Sequence, residues 1–165
     1  MTAKNKSAAG QFTLTRIFTA PRPLVFAAWT KPVHLKKWSA PQGFAIPVSR
    51  GELKPGGKWL ACMVSPSGEK MWLGGVYREV VPDERLVFTH AWQGGGEETL
   101  VVVRFEDHPR GTKMTFTQSG FSSTGSQAGH KGGWSECFAR LDALLAQIQP
   151  RIKSGRVSGR KRAVR

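Results

Sequence analysis

Residues 134–148, WSECFARLDALLAQI, decide the fold. Trp134, Cys137, Leu141, Leu144, Leu145 and Ile148 recur at the 3.6-residue period of a helix with one apolar face. Ser123 or Thr124 is placed to open this helix, and Pro150 to end it. Gly132 and Gly133 fall inside it. Each costs about 1 kcal/mol against alanine, so a close approach of another backbone is the expected reason for them. Of the helices read from the sequence, this is the one long and apolar enough to cover a whole sheet.

Upstream, the period changes. Phe12, Leu14 and Ile17 lie in a Thr-rich run, and residues 11–19 read as a first strand. Pro21-Arg22-Pro23 then opens a short helix whose Val25, Ala28 and Trp29 share a face, and a second short helix after Pro32 carries Leu35 and Trp38. From there to residue 119 the chain alternates. Phe44, Ile46 and Val48 share one strand face, and Trp59, Ala61 and Met63 another. Residues Met71–Val80 form a third strand. Leu86, Phe88, His90 and Trp92 follow, then Val101, Val103 and Phe105, then Met114 and Phe116. Pro55-Gly56-Gly57, Ser65-Pro66-Ser67-Gly68, Pro82-Asp83-Glu84, Gly94-Gly95-Gly96 and His108-Pro109-Arg110-Gly111 are the turns between them. Turns this short join antiparallel neighbours. The expected architecture is α+β: a curved antiparallel sheet of six to seven strands wrapped on a long C-terminal helix, with two short helices after the first strand. This is a helix-grip arrangement.

The chain has 165 residues and a formal net charge of +14. One domain is expected at this length. The charge invites a nucleic-acid reading, but its distribution weakens that. Residues 1–10 and 150–165 carry nine basic side chains and no acid, which leaves +5 on residues 11–149. Both ends read as disordered basic tails around a domain at 11–149. The C-terminal tail could grip phosphates, but it lacks aromatics for base stacking. There is no stretch of about 18 apolar residues, so no membrane insertion is expected. No signal peptide is legible, and two cysteines neither staple a secreted mini-protein nor build a thiolate zinc site. A cytoplasmic protein with reduced thiols is the simplest reading.

The search for chemistry gives no catalytic set. The four histidines, at 34, 90, 108 and 130, have no metal-ligand spacing, and no cofactor or metal is called for. Neither a nucleophile elbow nor a phosphate loop occurs. Cys137 reads as a small buried hydrophobe on the helix face, and Cys62 as outward-facing. What the sequence does offer is a set of large side chains around one interior. Six tryptophans are spread over nearly every element. Trp29 and Trp134 read as core filling, and Trp38, Trp72 and Trp92, nearer loops, as the mouth of a pocket. The candidate lining adds Trp59, Met63, Phe88, Val103, Phe105, Met114 and Phe116 from the sheet, and Trp134, Cys137 and Leu141 from the helix. His90 and Gln118 are the candidate polar anchors, because a mostly apolar site gains orientation from few polar groups.

Several motifs together resemble the activator of heat shock protein 90 ATPase homologue-like family, within the START-like (SRPBCC) superfamily. They are Ala20-Pro21 through Trp29-Thr30-Lys31-Pro32 with His34-Leu35-Lys36-Lys37-Trp38; Gly56-Gly57-Lys58-Trp59 with Met63; Gly75-Val76-Tyr77-Arg78-Glu79-Val80-Val81-Pro82-Asp83-Glu84-Arg85-Leu86-Val87-Phe88-Thr89; and His130-Lys131-Gly132-Gly133-Trp134 followed by Leu141 and Leu145. The resemblance covers about residues 11–148. It implies a cavity between sheet and long helix. Superfamily members bind lipids, sterols or polyketides, and some catalyse aromatic cyclisation, so the fold does not fix one function. Three functions follow as expectations: a small hydrophobic or aromatic ligand held in the cavity, a chaperone-associated interaction module, or an accessory protein that meets nucleic acid or anionic surfaces through its tail. A cyclase-type pocket is the enzyme reading.

Overall fold

The computed structural model describes residues 10–164, with side chains described for residues 10–148. The elements run β1 (Gln11–Phe18), α1 (Arg22–Thr30), α2 (Pro32–Trp38), β2 (Ala45–Gly51), β3 (Lys58–Val64), β4 (Lys70–Val81), β5 (Arg85–Trp92), β6 (Thr99–His108), β7 (Gly111–Ser119) and α3 (Thr124–Val164). Among the described residues seven strands form one antiparallel sheet in the order β1-β7-β6-β5-β4-β3-β2. The helix-grip expectation holds: α3 lies across the sheet, and the two short helices fill the connection from one sheet edge, β1, to the other, β2.

Alternation sets which side faces α3. On β6, Val101, Val103 and Phe105 are buried while Leu100, Arg104 and Glu106 are exposed. On β7, Thr112, Met114, Phe116 and Gln118 are all fully buried. β1 pairs with β7 from Gln11↔Ser119 to Phe18↔Thr112 and adds Phe12, Leu14 and Phe18 to the same core. In α1, Val25, Ala28 and Trp29 turn inward at i, i+3, i+4, and α3 lays Cys137, Phe138, Leu141, Leu144 and Leu145 over them.

Two irregularities break the alternation. A register shift between Ala45 and Val48 lets Ile46 and Ser49 both face inward, so Val48 turns out, although Phe44, Ile46 and Val48 alternate in the sequence. A second shift, between Tyr77 and Glu79, brings Tyr77 and Val80 to the core side. Gly75 marks a close approach. A Cβ there would overlap the carbonyl oxygen of Thr89. Beside it the Thr89 hydroxyl accepts the Val76 N–H at 2.8 Å.

The helical backbone of α3 continues through Pro150, where the sequence places its end, to Val164. A proline removes one N–H from a helix without always ending it. The expected tail at 150–165 has its side chains outside the described residues, and the expected tail at 1–10 lies outside them up to residue 9.

Candidate functional site

The inner face of the sheet divides into two halves. Over β1, β7 and β6 it is packed solid. Phe116 lies 4.7 Å from the Trp134 ring and 5.2 Å from the Phe138 ring, centroid to centroid, and Phe26 meets Phe105 edge-on at 5.8 Å. Val103, Phe105, Met114, Phe116 and Leu141, expected to line a pocket, are therefore core. α1 and α3 both bring aromatics to that half, which fills it. Over β2 to β5 the two layers separate and leave a cavity of about 400 Å³.

The cavity gathers Trp38, Trp59, Met63, Phe88, His90, Trp92, Trp134 and Cys137 from the expected set. Trp29 and Trp134, read as core filling, also line it. Trp72 does not. It pairs in register with Cys62, whereas its neighbours Met71 and Leu73 pair with Met63 and Ala61. Side chains opposite one another share a face, so Trp72 and Cys62 stand on the outer side of the sheet. Cys62 is nonetheless buried there. The pairing of Met71 and Leu73 with inward residues is a parity signal already present in the sequence.

Sequence reasoning found Trp134 and Cys137 on the helical wall but missed the turns before them. On α3, Ser126, Gly129, His130, Gly133, Trp134 and Cys137 line the cavity at i, i+3, i+4, i+7, i+8 and i+11 spacing. The first part of this face, Ser126 to Gly133, has no hydrophobic signature. The two adjacent glycines are not explained by close backbone approach. A Cβ at Gly132 or Gly129 would meet nothing within 4 Å, and one at Gly133 only Pro41, at 3.8 Å. Gly129, exposed at the cavity's edge, and half-buried Gly133 line the cavity, and their missing side chains leave room there; Gly132, also exposed, does not line it. Helix α3 also holds the rim. Arg140 Nη1 donates toward the carbonyls of Ala40 at 2.5 Å and Pro41 at 3.1 Å, and Glu136 accepts the Gln42 N–H at 3.0 Å.

Five tryptophans border the cavity, and each indole N–H already has an acceptor in the protein. Trp29 donates to Met114 Sδ, Trp38 to the Ala28 carbonyl, Trp59 to the Thr89 carbonyl, Trp92 to His130 Nε2, and Trp134 to Gln118 Oε1. Trp134 and Gln118 end a buried chain. Gln118 Nε2 donates to Thr99 Oγ1 at 2.8 Å, and that hydroxyl donates to the His90 carbonyl at 3.1 Å. Gln118, a candidate ligand anchor, is thus committed at both ends and does not line the cavity. It positions Trp134 instead.

His130 is committed too. An indole N–H can only donate, so His130 Nε2 accepts from Trp92 at 3.2 Å. Nδ1 therefore carries the proton, donated to the Ser126 carbonyl at 2.8 Å. His90 differs. It is buried among the Trp59, Trp92, His130 and Trp134 rings at centroid distances of 5.8–6.1 Å. Among the described residues no other residue hydrogen-bonds either of its ring nitrogens, and neither nitrogen is sealed off. Since His90 lines the cavity, its free polar atoms open onto that space. Burial, helped by the neighbouring His130, pulls its pKa down to about 4, so the ring is neutral at ordinary pH.

No Asp, Glu, Lys or Arg lines the cavity. Burial raises the Cys137 thiol to about 12 and pushes the Tyr77 phenol up, so both stay protonated. Near the start of α3 the Glu97 carboxylate accepts from the Ser122 N–H and hydroxyl and from the Ser126 hydroxyl, which holds its pKa down at about 2. No group of three or more His, Cys, Asp or Glu among the described residues could hold a metal. No helix there is long and apolar enough to cross a membrane. The arrangement can enclose an apolar body, stack it against indoles, and offer it a neutral imidazole, with the protonated Tyr77 phenol also in the wall.

Residues 19–146 match the family model described as Activator of Hsp90 ATPase homolog 1-like protein. Among solved structures, a protein from Chromobacterium violaceum is 25% identical with a TM-score of 0.78, over 82% of this chain and 96% of its own. One from Nitrosomonas europaea is 27% identical with a TM-score of 0.75, over 87% and 98%. The AHSA1 protein from Silicibacter pomeroyi, 23% identical with a TM-score of 0.76 over 83% and 98%, is similar in fold. No curated protein matches the chain.

Proposed function

Because the chain belongs to the Activator of Hsp90 ATPase homolog 1-like family, whose fold is shared across different functions, its role has to be argued from its own site, and we propose that it binds a small, largely apolar molecule between the sheet and α3. The observation that carries this is the open half of the interior. About 400 Å³ is left unfilled beside a core that is otherwise packed, and its wall includes a buried imidazole with no protein partner. Interiors are normally close-packed, and buried polar groups are normally paired, so both features support a binding role for this space. Apolar burial supplies the affinity, at about 25 cal/mol per Å² of surface removed from water, and His90 supplies orientation.

The test is a panel of apolar and aromatic compounds scored by tryptophan fluorescence and thermal shift. Five cavity tryptophans make emission sensitive to occupancy. A binder at 100 times its Kd should add about 2.7 kcal/mol to stability. Absence of any shift across the panel removes the proposal. The family's name supports a second reading, a chaperone-associated module. Binding to a heat shock protein 90 homologue, with a rise in its ATPase rate, would support it, and no effect at high concentration would remove it. The tail-based reading is tested by deleting residues 150–165: salt-sensitive binding to nucleic acid that survives the deletion counts against the tail.

A further inference from the structure

Resting on that proposed cavity, we infer that its ligand is an uncharged, flat aromatic molecule with one hydroxyl or carbonyl group, its ring beside the Gly129–Gly133 strip of α3 and its polar group on His90. Three observations narrow the class. The first is charge. None of the lining side chains is acidic, lysine or arginine. A charged ligand would be buried without a counter-ion, which is far costlier than burying a neutral one.

The second is the supply of hydrogen bonds. The five indole N–H groups are all taken by protein acceptors, and His130 is held at both nitrogens. Two nine-tenths-buried polar side chains in the wall have no described side-chain hydrogen bond, His90 and Tyr77, and His90 is the one set among the indoles and against Trp134 and His130 of α3. A neutral imidazole has one donor and one acceptor, so it suits a hydroxyl or a carbonyl equally.

The third is shape. Aromatic rings surround His90 on several sides, and the adjoining turns of α3 present Gly129 and Gly133, which have no side chain to fill the space. A rigid ring gains from aromatic neighbours beyond its buried area and has few rotors to freeze, while an alkyl chain of equal volume gains neither.

The probes are 2-naphthol, naphthalene, 1-decanol and 2-naphthoate, titrated at pH 8 against the full chain and followed by tryptophan fluorescence. 2-Naphthol should bind at least about tenfold tighter than naphthalene, the loss expected when a buried polar group is left unpaired. His90→Leu should erase that ratio, and His90→Gln should restore part of it. Gly129→Leu should abolish binding of both naphthalenes without lowering the melting temperature, because leucine is a good helix former and space is open there. Three results would each overturn the inference: 1-decanol or 2-naphthoate binding as tightly as 2-naphthol, a naphthol-to-naphthalene ratio that survives in His90→Leu, or undiminished binding in Gly129→Leu. If none of the four probes binds, the cavity proposal fails with it. If 1-decanol alone binds, the cavity stands and only the ligand class is lost.

Discussion

Gln118→Leu tests whether the buried chain of hydrogen bonds shapes the cavity wall. Gln118 is fully buried and spans two partners, donating to Thr99 and accepting from Trp134 at 2.9 Å. Leucine nearly matches its volume and removes both bonds. Thr99 keeps its own donation to the His90 carbonyl, so its loss is small. The Trp134 N–H loses its only described acceptor, and an unpaired buried donor costs about 1–3 kcal/mol. The net expectation is a loss of about 2 kcal/mol. At roughly 2–4 °C per kcal/mol for a chain of this size, the midpoint should fall by about 4–8 °C. Differential scanning calorimetry reads the shift, and tryptophan emission reports the released indole. Trp134→Phe supplies the control. With no indole N–H left to strand, Gln118→Leu should cost less, giving a coupling of about 1–2 kcal/mol in a double-mutant cycle. Strict additivity, or a Gln118→Leu midpoint within about 1 °C of the parent, would refute the claim that this bond holds Trp134 in place.

Gly132→Ala should raise stability by about 1 kcal/mol, seen as a higher urea midpoint, because its Cβ meets empty solvent-facing space within a helix; an unchanged midpoint sinks the claim. Gly75→Ala should act the other way, by about 2–4 kcal/mol, since β4 would have to move off the Thr89 carbonyl that also holds the Trp59 indole. A stable variant with unshifted emission would show that the close approach is dispensable. His90 gives a pH prediction with a defined sign. Its folded pKa, about 4, lies below the ordinary 6.5, so between these values the unfolded chain takes up a proton that the native ring refuses. Stability should therefore fall as pH drops from about 6.5 toward 4, by roughly 3 kcal/mol at most. In His90→Gln this contribution should vanish; equal pH slopes for both proteins would contradict it.

The sequence made the architecture legible because its two periods are unmixed. The period-2 runs of β6 and β7 and the 3.6 period from Trp134 to Ile148 leave little choice of layer or side. The site was legible only in part. Phe88, His90 and Trp92 could be placed inward by counting along one strand, and Trp72 could have been placed outward by the same count. The split of the interior into a filled and an empty half could not be read locally. It depends on α1 and α3 delivering Trp29, Phe26 and Phe138 to the same end of the sheet. Of the α3 wall only Trp134 and Cys137 were legible; Ser126 to Gly133 escaped notice because serine, glycine and histidine carry no hydrophobic periodicity, and a cavity is lined as much by what is missing as by what is bulky. Gln118 looked like an anchor because a buried amide at a strand end is ambiguous until its partners, on β6 and α3, are known.

The strand order has a consequence for how the chain reaches this state. β1 bonds within the sheet to β7 alone, from Phe12↔Gln118 to Phe18↔Thr112, across about a hundred intervening residues. During synthesis at about 5–20 residues per second, β1 therefore waits roughly 5–20 s for its neighbour to be made. Over that interval Phe12, Leu14 and Phe18 have neither sheet nor α3 to cover them. The hairpins from β2 to β6 can assemble in sequence, each on the last, whereas the N-terminal edge closes only at the end. Nascent chains of this protein should pass through a stage in which an unpaired apolar strand is exposed, and that is where aggregation or capture by a holding factor would act.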